Sequence, residues 1–129
     1  MSDGNDGTDT ATITITILGV DDDPAGVNDT GAVNEDKTLT VSTGNGVLSN
    51  DTDADDSSSI SVSAISGGTV GQALIGTYGT LTLNSNGSYS YVANTNGADG
   101  LAASATATDT FTYTVSDGAG TTDTATLTV

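Results

Sequence analysis

The chain has 129 residues, a single lysine, no histidine and no cysteine, and its formal net charge is -16. There is no imidazole base, no thiolate and no zinc tetrad, and Lys37 alone gives no patch for phosphate, nucleic acid or anionic lipid. Leu, Ile, Val and Phe make 25 of the 129 residues, just under the one-fifth level at which a highly charged chain is expected to stay disordered, so a further stabiliser is needed. A disulfide framework is excluded, which leaves a cation bound to clustered aspartates as the most economical candidate. No run approaches a membrane span, and Met1 leads into polar residues rather than a signal peptide.

Apolar residues alternate with Thr and Ser at period two, which predicts strands. In chain order the runs are Thr10 to Leu18, Thr38 to Ser42, Ser59 to Ile65, Thr80 to Leu83, Ser88 to Val92, Thr110 to Val115 and Thr124 to Val129. No window shows helical spacing. Asn84-Ser85-Asn86-Gly87 and Asp117-Gly118-Ala119-Gly120 read as hairpin turns, because Asn and Gly tolerate positive φ. These signals predict an all-β fold, an antiparallel sandwich of seven to eight strands, with Tyr89, Tyr91, Phe111 and Tyr113 packed together in its core.

An internal repeat organises the chain. Ser2 to Ile15 (SDGNDGTDTATITI) aligns with Ser116 to Val129 (SDGAGTTDTATLTV) at an offset of 114, with nine of fourteen positions identical. Residues 1–20 therefore read as the closing strand of a preceding repeat, 21–24 as an acidic linker and 25–129 as a full unit. A rival reading takes 10–18 as a strand donated to a neighbouring subunit, since Ile13, Ile15 and Ile17 on an open edge invite pairing.

The segments DDDPAGVNDTGAVNEDKTLTV, GVLSNDTDADD, GTYGTLTLNSNGSYSYV and ATDTFTYTVSDGAGTTDTATLTV resemble the VCBS-type and cadherin-like tandem repeats of very large secreted bacterial adhesins. The resemblance covers nearly the whole chain. It implies an immunoglobulin- or cadherin-like sandwich, a non-enzymatic extracellular module, Ca²⁺ as the bound ion, and a spacer or adhesive role. The implied partners are neighbouring copies, in cis or by strand donation, and an extracellular surface or polysaccharide. DDDP stands where these linkers more often carry Asn-Asp-x-Pro.

Calcium takes about six to eight oxygens, and alternate aspartates in an extended loop present theirs on one side. Asp51, Asp53 and Asp55 form such a run. It is not an EF-hand, because Asp56 replaces the sixth-position Gly and Val62 the twelfth-position Glu. The bland reading is a solvated acidic loop. Counting strand reversals, with Gly67 to Gly76 taken as a connection that does not reverse the chain, places Asp51, Asp53, Asp55 and Asp117 against linker residues Asp21, Asp22 and Asp23. The same count puts Glu35, Asp36 and Asp109 at the opposite end, awaiting the next linker, and an extra strand within 67–76 threatens it. Asp3, the repeat equivalent of Asp117, is expected to be dispensable.

Three decoys carry less weight. Asp29-Thr30-Gly31 with Leu74-Ile75-Gly76 imitates a small aspartic protease, but Ala25 to Asn28 is no apolar strand and Asn-Asp-Thr recurs at 50–52. The Thr12-Ile13-Thr14-Ile15-Thr16 array imitates an ice-binding face, yet Thr is simply a good residue for a wet strand face. Lys37 reads as a surface lysine rather than a crosslink.

Overall fold

The computed structural model describes residues 4–55 and 59–129. Asp3 and Asp56, both singled out in the sequence, lie outside the described residues. Eight strands are found among the described residues: β1 (Asp29–Thr30), β2 (Thr38–Val41), β3 (Ser61–Ile65), β4 (Ala73–Ile75), β5 (Thr80–Leu83), β6 (Tyr89–Val92), β7 (Thr110–Ser116) and β8 (Thr122–Thr128). They form two four-stranded sheets, β1-β8-β7-β3 and β2-β6-β5-β4. The all-β sandwich expected from the alternation is therefore present, with β1 pairing parallel to β8 as the exception to antiparallel order.

Period-two burial builds the core. Leu81 and Leu83 on β5, Tyr89 and Tyr91 on β6, Phe111, Tyr113 and Val115 on β7, and Ala125 and Leu127 on β8 all point inward, while the intervening Thr and Ser face out. Each fully buried aliphatic or aromatic side chain contributes roughly 1.5–3 kcal/mol of transfer free energy. The four aromatics expected in the core are there, and Tyr91 meets Phe111 across the two sheets edge-to-face at 6.2 Å. Both predicted hairpins form. Gly87 (φ 82°) completes the first turn, and the neighbouring loop packs so closely on it that a Cβ at Gly46 would strike the Gly87 carbonyl.

Several expectations need correction. Thr10 to Leu18 forms no strand, and Ile13, Ile15 and Ile17 stand 84%, 76% and 89% exposed. Strand propensity measures fit to a half-buried pleated surface, and this segment has no such surface beside it. Its repeat counterpart β8 becomes a strand because β1 and β7 flank it. The first strand of the domain is the two-residue β1, which is too short to show in the alternation and is not among the expected runs. Local backbone chemistry adds two short helical turns where no helical spacing exists, a 3₁₀ turn at Thr43–Asn45 and a single α-turn at Asn96–Asp99. The extra strand within 67–76 is also real: Ala73–Ile75 pairs antiparallel to β5.

Candidate functional site

Strand directions follow from the pairings. β8 runs away from the linker end, β7 and β2 run toward it, and β3, β6 and β1 run away from it. β4 runs in the same sense as β3, because both β4 and β6 are antiparallel to β5. The additional strand thus leaves the count of reversals unchanged. Asp117 and Asp109, which bracket β7, lie at opposite ends of the sandwich, roughly 26 Å apart at about 3.3 Å per residue.

At the linker end the chain is fastened by carboxylates accepting backbone N–H groups. Asp22 N–H donates to Asp55 Oδ2 at 3.0 Å, Gly26 N–H to Asp123 Oδ2 at 2.9 Å, and Val27 N–H to Asp51 Oδ1 at 2.6 Å. Ala25 and Thr52 exchange both backbone hydrogen bonds, and Pro24 is buried. The Thr121 hydroxyl also reaches the Asp22 carbonyl, at 3.4 Å. Linker and acidic loop therefore do face one another.

The acidic residues gathered here play different roles. Asp117 closes the β7–β8 turn: its Oδ1 accepts the N–H groups of Ala119, Gly120 and Thr121, and its Oδ2 the Thr121 hydroxyl. The Thr121 hydroxyl and those amides hold its pKa below the usual value. Asp51 is buried beside Asp29, and the Tyr113 hydroxyl donates to Asp29 Oδ2 at 2.8 Å. Burial raises both carboxyls; hydrogen bonds from Tyr113 offset this in part, and repulsion from Asp51 on Asp29 and from Asp123 on Asp51 adds to it. Asp29 is thus tied to a core tyrosine, as a structural residue would be.

Asp53 is different. Its Oδ1 accepts the Asp55 N–H at 2.8 Å, but its Oδ2 is buried with no hydrogen-bond partner. Beside it, Asp21 is raised above 3.8, first by desolvation and then by repulsion from Asp117, Asp55, Asp53 and Asp23. A buried carboxylate oxygen without a donor, next to a carboxylate that its neighbours repel, is uncompensated negative charge. Among the described residues no three carboxylates converge closely enough to hold a cation as they stand. The carboxylates gathered here are hard oxygens of the kind Ca²⁺ takes, and Asp53 Oδ2 is one that no protein donor satisfies.

The opposite end holds Glu35, Asp36 and Asp109, but not as an open acidic set. Asp109 is buried and accepts four donors, the N–H groups of Thr77, Tyr78 and Gly79 and the Tyr91 hydroxyl at 2.7 Å. Burial acts to raise its pKa, yet these bonds prevail and lower it. Three of the four donors converge on Oδ2 and one on Oδ1, so Asp109 is committed to its own turn and to Tyr91. Its turn fits so tightly that a Cβ at Gly79 would strike the Tyr91 ring. Glu35 and Asp36 are exposed in the β1–β2 turn, where Asp36 adopts φ 60°.

Asp123 is the fastening residue that the sequence reading left out. Its signal was available: Asp9 and Asp123 are among the identical positions of the internal repeat.

No curated protein matches the chain. Residues 21–129 match the family model of the bacterial cadherin-like domain, a match that begins at the first linker aspartate and runs through β8. The sandwich, the acidic linker pinned to its end and this match together make the chain a member of the bacterial cadherin-like domain family.

Proposed function

We propose that the domain is a calcium-stiffened structural repeat of a large extracellular bacterial adhesin, joined to copies of itself and serving cell adhesion or biofilm formation. The observation that carries this reading is the buried, unpartnered Asp53 Oδ2 beside Asp21, whose carboxylate Asp55, Asp53 and Asp23 repel. Those four residues would hold the ion, with Asp51 and Asp117 as the frame that positions them. A bound Ca²⁺ supplies the positive charge that this end lacks. Asp21 and Asp23 are exposed on the linker, so drawing them toward Asp53 removes linker freedom and turns a loose junction into a stiff one. Extracellular modules of this kind bind with Kd on the order of 10⁻⁴–10⁻³ M, which makes the external medium the switch.

Residues 1–20 then belong to the closing strand of a preceding copy. The exposed Ile13, Ile15 and Ile17 favour a second reading, in which 10–18 is donated to another subunit to build a filament. In that case 8–14 must displace β8 from between β1 and β7 of the recipient. Sedimentation across a concentration series separates the two: a monomer fits the repeat, and unbounded polymers fit donation. Calorimetric titration with Ca²⁺ tests the site itself, with heat of binding expected for the native chain and greatly reduced for Asp53→Asn/Asp55→Asn.

A further inference from the structure

A groove of about 540 Å³ opens at the end of the sandwich away from the linker, lined by Gly31 to Glu35 on one side, Leu101 to Thr108 on the other, and Val129. It adjoins a small inner cavity of about 60 Å³ that reaches Tyr78, Tyr91, Ala93 and Ala98 and shares Val33, Glu35, Leu101, Ala107 and Val129 with the groove. The groove size lies in the ~300–1,000 Å³ range of binding clefts. Its surface contrasts with the rest of the molecule. In a chain of net charge -16, residues 100–108 carry no charge, and the wall is built from Leu101, Ala102, Ala103, Ala105 and Ala107.

The position of the groove relative to β8 identifies what fits it. β8 runs between β1 and β7, and its lane is still flanked at its end: Gly31 N–H donates to the Thr128 carbonyl, and Val129 and Asp109 exchange both backbone hydrogen bonds. Beyond Val129 the same lane passes between the continuation of β1, residues 31–35, and the approach to β7, residues 101–108. Those are the two walls of the groove.

In the internal repeat Ile15 corresponds to Val129, so a copy joined in repeat register enters this lane with Thr16-Ile17-Leu18-Gly19-Val20. That stretch is itself uncharged, and Ile17, Leu18 and Val20 are 89%, 83% and 80% exposed. Large aliphatic side chains this exposed in a row mark a surface made for a partner.

We infer that the groove is the seat for residues 16–20 of the following copy, an apolar dock that fixes each repeat to the next without a metal ion. This rests on the repeat reading of the chain but not on calcium. One stretch of nine residues then serves two domains: Thr16 to Val20 settle into the domain behind, and Asp21 to Pro24 are fastened to the domain ahead. The seat fixes the direction in which a linker leaves, which the acidic end alone does not.

The test is a two-copy chain in which residues 16–129 directly follow Val129, with the first copy segmentally labelled for amide exchange and chelator present throughout. Exchange at Val33, Leu101 and Ala107 is expected to slow about tenfold or more relative to the single chain. Replacing Ile17→Ser, Leu18→Ser and Val20→Ser in the second copy should restore single-chain exchange, as should Ala105→Glu in the exposed groove wall of the first copy. Unchanged exchange in the two-copy chain, or slowing that survives the serine substitutions, overturns the seat. Because chelator removes the ion, neither result bears on the calcium site, whose own test is the titration above.

Discussion

Both ends of the sandwich hold a carboxylate filled by four donors, Asp117 near the linker and Asp109 opposite, but among the described residues only the linker end adds a buried carboxylate oxygen with none. Near the linker, Asp117, Asp55, Asp53 and Asp23 repel the Asp21 carboxylate, and Asp53 Oδ2 finds no donor. At the other end Asp109 collects three backbone N–H groups and a tyrosine hydroxyl, and its environment stabilises the ionised form. The difference is the number of donors aimed at each carboxylate, not the density of acidic residues. A carboxylate with four donors is complete, and a buried carboxylate oxygen with none invites a cation.

The sharpest break between the ends comes from Asp109→Ala. It strands three backbone donors and a buried hydroxyl at about 1–3 kcal/mol for each group left unsatisfied, so a loss of about 3 kcal/mol or more is expected in denaturant melts. That loss should be equal with and without calcium, because Asp109 belongs to the closed end. Gly79→Ala should cost a comparable amount through its clash with Tyr91 and should also be insensitive to calcium.

Acid titration has a smaller effect and sorts the aspartates by their donors rather than by their end. Asp21, Asp29 and Asp51 have pKa values raised above 3.8, so their contribution is full below 3.8 and is lost as pH rises through the raised values. Asp109, Asp117 and Asp123 are lowered, so theirs is present above 3.8 and is lost as pH falls through the lowered values. Without calcium the melting temperature should therefore peak at roughly pH 4 and decline on both sides. Calcium should lift the neutral side of that curve, since it compensates the ionised Asp21 cluster. The smallest effect is expected from Ile13→Ser with Ile15→Ser, within about 0.5 kcal/mol in the same melts, because both side chains are exposed.

Period-two alternation made the sandwich and its core legible, since Leu81, Tyr91 and Leu127 each sit where alternation places an inward residue. The same alternation misled at Thr10 to Leu18, where pattern without a neighbouring sheet yields no strand. Ala73–Ile75 entered the sequence reading only as a threat to the count, because three residues are too few to display a period, and its same-sense direction is a matter of topology. Grouping of linker and loop followed from counting reversals. Which carboxylates are spoken for did not, because Asp109 is filled by the amides of a turn thirty residues away in sequence, and no spacing rule announces that.

Thermal unfolding of the native chain and of Asp53→Asn/Asp55→Asn, each in chelator and in about 10 mM Ca²⁺, tests the central claim most directly. With Kd on the order of 10⁻⁴–10⁻³ M, binding adds about 1.4–2.7 kcal/mol, and the native chain should melt about 5 °C or more higher in calcium. The double variant should lose most of that increment while melting normally in chelator. A native melting temperature that is the same in chelator and in calcium would contradict the account.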